Sequence, residues 1–272
     1  MITPTHTRDT TGPVRIRPIA LPVEHGGWGL LLEPIVLGLL LVPSAGGSLI
    51  ATGALAAFLV RQPLKLAIGD RRRGRRVSRT VIAERFVLLY SGVAVICLAG
   101  AVKTARPAFL LPLLVVAPIA LIQLLADSVG RGRTLVAELA GSIWIGAVAT
   151  AIALAGGWPG PAALGLWAIL AARAAPAILY LRTRLRLSHH KPASPRVVVV
   201  AHLAAILVAI ELARAGLAPF LGIAAMVILL IRAVIGFSSA GARTPAKTLG
   251  LWEVGFGAMT VFAVILGHSI GC

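Results

Sequence analysis

Charge is scarce in this sequence, and negative charge is scarcest. Asp, Glu, Lys and Arg make up 13% of the 272 residues, and only nine residues are acidic. A soluble domain carries about 25% charged residues, so there is too little polarity here to cover a water-facing surface. Cysteine is almost missing. Cys97 and Cys272 are the only two, which excludes a disulfide framework, and no CxxC is present. No Walker loop, HExxH, GxSxG or zinc spacing occurs, so no metal and no cofactor is expected. The nine carboxylates are scattered singly, and Asp70 and Asp127 are the only aspartates beyond the first twenty residues. A Mg²⁺ site would need those two to meet in space. The first twenty residues lack an apolar signal-peptide segment and read as a disordered cytoplasmic tail. No long polar stretch divides the rest, so residues 21–272 form one domain.

What is abundant is hydrocarbon. Hydrophobic residues make up 58% of the chain, and the mean hydropathy is +0.93. A bilayer core about 30 Å thick needs roughly 20 apolar residues per helix. Nine such spans are expected near 26–43, 47–68, 82–102, 108–126, 134–156, 161–181, 196–214, 217–237 and 250–268. The breakers between them include VPSAGG, GDRRRGRR, DSVGRGR, GGWPGP and RLSHHKPASP. The fold class is therefore all-α, a polytopic bundle of nine transmembrane helices. The net charge of +17 would suggest nucleic acid in a soluble protein, but here its placement gives another meaning. With the N-terminus inside, every Lys and Arg except Lys103, Arg106 and Arg214 falls at the cytoplasmic side. This places the protein in the inner membrane, N-terminus cytoplasmic and C-terminus outside, with membrane lipids as its surroundings and no nucleic-acid partner.

Ionisable residues inside apolar spans cost about 2.5–3.5 kcal/mol each on insertion scales, so each requires an account. Glu24 and His25 open the first span, and Glu33 lies eight residues beyond His25, about 12 Å along a helix. Arg61 precedes the end of the second span, with Lys65 at i+4 on the same face. Glu138 begins the fifth span. Arg173 lies in the sixth, with Pro176 and Tyr180 along one side. His202 lies in the seventh, where a hydrogen-bonded helix contact is expected. Arg232 is near the end of the eighth, and Glu253 opens the ninth. All but the deeper Glu33 belong to the cytoplasmic half of the membrane. In the other half only Glu211 and Arg214 stand out, three residues apart, as a local pair. Arg71–Arg76, Arg182, Arg184 and Arg186 read as loop charges that fix topology. The expectation is a polar chamber in which Arg61, Lys65 and Arg173 face Glu24, Glu33, Glu138 and Glu253. Guanidinium groups suit phosphate or carboxylate, so an anionic headgroup with an apolar tail fits such a chamber.

The stretch PVEHGGWGLLLEPIVLG, followed by FLVRQPLKL and later by ARAAPAILYLRTRLRL, resembles the YwiC-like family of bacterial membrane proteins. More distantly, the sequence resembles UbiA-type prenyltransferases. The likeness lies in the spacing of Pro34 and Gly38 in the first span and in RGRTLVAELAGSIWIG at the fifth. That second resemblance implies a nine-helix UbiA-like bundle with its site at the cytoplasmic ends of the second and sixth helices. The aspartate-rich motifs that hold Mg²⁺ on a prenyl diphosphate are absent. RQPLKLAIGDRRRGRR retains only Asp70, and RAAPAILYLRTRLRL has no acid. Arg61, Lys65, Arg173 and Arg182 stand in those regions instead.

The functional expectation is a protein that binds an anionic isoprenoid or lipid-type ligand through Arg61, Lys65, Glu138, Arg173, Tyr180 and Glu253. If it is an enzyme, it is a UbiA-like transferase with Glu24 and His25 as acid/base candidates. The alternatives are a small-anion transporter and a non-catalytic assembly or anchoring subunit whose DRRRGRR run docks a protein. A transport path would require charges through the outer half, where only Glu211 and Arg214 occur.

Overall fold

The computed structural model describes residues 15–22, 25–74, 76–128, 134–238 and 244–271, and of His25 and Gly26 only the backbone. Among the described residues, nine α-helices follow a four-residue turn, α1 (Arg17–Ala20). They are α2 (His25–Leu41), α3 (Ala45–Arg72), α4 (Ser78–Thr104), α5 (Leu110–Ser128), α6 (Leu135–Ala155), α7 (Gly160–Ser188), α8 (Pro195–Arg214), α9 (Leu221–Gly236) and α10 (Ala246–Ile270). No strand occurs among the described residues. Each expected span falls on one helix, but the count of crossing helices is not nine by length alone. Among the described residues, seven helices are long and apolar enough to cross a bilayer, and two apolar segments are shorter, Gly27–Leu41 and Leu221–Gly236.

Local sequence sets the ends. Ser44 caps α3 by accepting a hydrogen bond from the Gly47 amide at 3.0 Å, and Thr134 caps α6 through the Ala137 amide at 3.3 Å. Two helices run further than their apolar cores. α3 continues through Gly69 and Asp70 to Arg72, and α7 continues through Arg182, Arg184 and Arg186 to Ser188. Leu and Arg are strong helix formers, so the basic runs extend the helices rather than breaking them. The α3 turn closes at Gly74, whose φ of +65° suits glycine. The expectation that Arg182 and Arg184 are loop charges is thereby corrected, since Arg184 is a buried residue of α7.

Most neighbouring helices pack in sequence as hairpins, α4 packs on α3 rather than on α5, and α2 closes the bundle by packing on α6 and α10. α6 is the central post. Its Ala, Gly and Ser residues are buried along nearly its whole length, and small residues allow close helix approach in the absence of a water-driven force. Apolar cores lie on its two sides. One joins Leu37 and Ala149 to Leu166, Ile169, Met226, Leu229 and Val264, and the other joins Leu31, Ile50 and Phe58 to Phe109, Val148 and Ile152. Outward faces remain apolar, as at Leu88, Ile96, Leu114 and Leu207. Together with the long apolar helices, these faces identify a multi-pass membrane protein.

The tail expected over residues 1–20 is partly outside the described residues. Within it, α1 is docked rather than free. Ile19 is buried against Ala67 and Ala83, and the Pro18 and Ala20 carbonyls accept hydrogen bonds from Gln62 Nε2 at 3.1 Å and Tyr90 Oη at 3.3 Å. The ends of α3 and α4 are clamped by charge. Arg79 and Thr80 both donate to the buried Asp70, while Arg71 and Arg76 hold Glu84 at 2.6 and 3.1 Å. Part of the arginine run therefore closes a hairpin.

Candidate functional site

Glu33 of α2 is an acid inside an apolar helix, and it is buried. Its oxygen Oε1 lies 3.2 Å from Nη1 of Arg173 on α7, itself only 2% exposed. Arg173 also reaches α10. Nη2 donates to the Glu253 main-chain carbonyl at 2.7 Å and lies 3.8 Å from Glu253 Oε2. Glu253 in turn binds Arg232 of α9, with Nη1 at 2.5 Å from Oε1. The Arg232 guanidinium is stacked over Tyr180, 4.1 Å from the ring centroid, and lies 5.0 Å from that of Phe256. Glu33, Arg173, Glu253 and Arg232 thus form a buried chain of alternating sign and zero net charge across four helices. Alternation is what makes four charges tolerable at such a place, because each desolvated group has an opposite partner.

Gly257 permits the chain. A Cβ at that position would meet Glu33 Oε1 and would lie 2.9 Å from Arg173 Nη2. The glycine lets α10 approach α2 closely enough for the carboxylate to reach its arginine.

A cavity of about 360 Å³ lies beside this chain. Its walls come from Gly27, Gly29 and Glu33 of α2, Arg61 of α3, Gln123 of α5, Glu138 and Ser142 of α6, Arg173 and Arg182 of α7, and Gly250 and Glu253 of α10. Each lining arginine meets a carboxylate. Arg61 puts Nε and Nη2 on Asp127 Oδ2 at 2.9 and 2.5 Å, and Arg182 Nη1 meets Glu138 Oε2 at 2.9 Å. The lining is therefore a set of charge pairs rather than a bare cationic patch. One donor stands apart. Arg173 Nε is buried and has no hydrogen-bond acceptor among the described residues. A buried donor left unmade costs about 1–3 kcal/mol.

Of the residues expected from sequence, Arg61, Glu138, Arg173 and Glu253 line this cavity together, and Lys65 and Tyr180 do not. Lys65 is exposed, one turn nearer the end of α3 than Arg61. Tyr180 is 2% exposed and faces α9, with its hydroxyl against Gly236. Glu24 and the His25 side chain, the acid/base candidates, lie outside the described residues. Asp70 and Asp127 stand on different helices, α3 and α5. Each is held by an arginine, and among the described residues no three His, Cys, Asp or Glu groups cluster as metal ligands. His202 is a buried helix contact that donates from Nδ1 to the Val198 carbonyl at 2.8 Å. Glu211 and Arg214 pair locally on the surface, 3.4 Å apart.

Sequence reasoning missed three participants. Arg232 was placed near a helix end but is the last link of the buried chain. Gln123 and Asp127 are four apart on α5, a spacing that puts both on one face. Gln123 accepts from Trp144 Nε1 as well as lining the cavity.

The YwiC-like protein family model matches residues 21–153. The YwiC-like region therefore covers α2 to α6 and supplies Glu33, Arg61, Gln123, Asp127 and Glu138. The other half of the site, Arg173, Arg182, Arg232 and Glu253, comes from the helices beyond the YwiC-like match. No curated protein and no solved structure matches the chain.

Proposed function

We propose that this multi-pass membrane protein binds an anionic isoprenoid- or lipid-type molecule, with its polar end in the 360 Å³ cavity. The observation that carries the reading is Arg173 Nε, a buried donor on a cavity-lining arginine with no protein acceptor among the described residues. An oxygen of a phosphate or carboxylate would complete it. Arg61 and Arg182 flank the same space, with side chains 24% and 33% exposed, and would exchange part of their hold on Asp127 and Glu138 for the ligand. The lining away from the charges is Leu30, Ile145, Ile178, Leu181 and Val254, which suits an apolar tail. The volume falls within the range of small-molecule sites, about 300–1,000 Å³. The UbiA-like reading adds an architecture in which arginines take the place of metal-binding aspartates. In that case the protein would neutralise a diphosphate by hydrogen bonding rather than by metal coordination.

The basic loops orient the reading. The cavity opens toward the cytoplasm of an inner membrane, and the C-terminus is outside. Cys97 is buried, so a membrane-impermeant thiol reagent on intact spheroplasts is expected to label Cys272, and labelling only after lysis would reverse the orientation.

Gly250 offers a direct test of the cavity. It lines the space, and a Cβ there meets nothing within 4 Å. Gly250→Phe is expected to fill the cavity while leaving every charge pair in place. Mass spectrometry of solvent extracts should find an anionic amphiphile with the purified wild type and lose it from the variant. Equal retention by both would refute the reading.

A further inference from the structure

α10 has two working faces. Gly250, Glu253, Val254 and Gly257, at i, i+3, i+4 and i+7, face the cavity and α2. The opposite side borders a second space of about 770 Å³, between α9, α10 and the end of α7. Its walls are hydrocarbon: Ile231, Ile235, Leu251, Trp252 and Met259. Several of these face outward, with Ile235 62% and Leu251 69% exposed, so the groove opens sideways to the surroundings of the bundle. Arg232 and Arg184 line it as well. Arg232 is the informative member. Its side chain is 8% exposed, and its Nε is a second buried donor with no acceptor among the described residues. Glu253 occupies the terminal nitrogens of that guanidinium from the cavity side, and Tyr180 and Phe256 lie over it. Arg232, Tyr180 and Phe256 together form the groove's wall at this end.

We propose that this groove is a separate site for an anionic phospholipid of the bilayer. One acyl chain lies between α9 and α10, and a headgroup or ester oxygen accepts from Arg232. Charge complementarity selects this occupant. A purely apolar helix from a partner would fill the walls but would leave the arginine donor unmade, whereas a lipid with a negative head satisfies both ends. From Trp252 to Met259 the groove runs seven residues of helix, about 10 Å, enough for the upper part of one acyl chain. This inference does not depend on what the cavity on the other face of α10 binds.

Gly255 provides the test. It lines the groove, and a Cβ there meets nothing within 4 Å. Gly255→Phe should therefore block the groove without touching the charge chain, and it removes a helix-interior glycine. Ile235→Trp, on the facing wall, is a second block should the first fold poorly. Delipidated wild type, Gly255→Phe and Gly250→Phe would be mixed with phosphatidylglycerol or phosphatidylcholine, and the retained lipid counted by native mass spectrometry. The wild type is expected to retain one phosphatidylglycerol in preference to phosphatidylcholine. Gly255→Phe should bind it about tenfold more weakly, and Gly250→Phe should bind it normally. Loss in Gly250→Phe alone would move the lipid to the cavity and overturn the groove assignment. Undiminished binding by both groove variants, or equal retention of the two lipids, would also overturn it.

Discussion

Glu253→Ala is expected to lower stability more than any other single truncation of a polar side chain on α10. It removes the acid that holds Arg232 at 2.5 Å and also helps to hold Arg173. Arg173 keeps Glu33 and the main-chain carbonyl of residue 253, so the larger loss falls on Arg232, which stays buried and charged beneath Tyr180 and Phe256. Breaking a buried pair by deleting one partner costs about 3–5 kcal/mol, and a fall of roughly 10 °C in unfolding temperature is expected for a chain of this size. Tryptophan fluorescence during heating in detergent would measure it. The same physics predicts partial rescue. Glu253→Leu combined with Arg232→Met removes both charges and should recover much of the loss, because a buried pair can be replaced by apolar residues at little cost. A single variant within about 1 kcal/mol of wild type would mean that Arg232 reaches water on its own.

Gly257→Ala is expected to be nearly as damaging, although it adds one methyl group. The added carbon would collide with Glu33 Oε1 and would lie 2.6 Å from its carboxyl carbon. The carboxylate must then leave Arg173 or the helices must separate, and either response disrupts the cluster at a cost of about 3 kcal/mol. Gly250→Ala, two turns away on the same helix and open to the cavity, is expected to have the opposite sign. It should stabilise by about 0.5–1 kcal/mol, the usual penalty for glycine within a helix. Paired thermal melts of the two variants check the contrast. Similar behaviour at both positions would mean that α2 and α10 are not in close contact.

Much of the architecture was legible in the sequence because lipid imposes long apolar runs and basic loops. The runs around Ala45–Arg72 and Gly160–Ser188 announced helices that the structure contains. Their ends were less legible, since arginine and leucine propagate a helix after the apolar criterion has failed. The family resemblance quoted from EHGGWG and RQPLKL is matched over residues 21–153. The site was legible as an inventory of acids and bases in apolar segments, and its pairing was not. Arg61 reaches Asp127, 66 residues away, and Arg173 reaches Glu253, 80 residues away. No periodicity along one helix encodes which neighbour it meets. Lys65 shared a helix face with Arg61 on paper, yet one turn of displacement carries it out of the cavity. Arg232 read only as an arginine near the end of the eighth span, and its place beneath Tyr180 and Phe256 depends on residues from two other helices.

The cavity beside Glu33, Arg173 and Glu253 is the proposed seat of the ligand's polar end. A density map of the wild-type protein in lipid nanodiscs, set beside one of Gly250→Phe, tests it most directly. The expected map has non-protein density within hydrogen-bonding distance of Arg173 Nε and an elongated tail against Leu30 and Ile178, with both features gone in the variant. Arg173 Nε bonded instead to a protein carbonyl, with helices packed through the space, would contradict it.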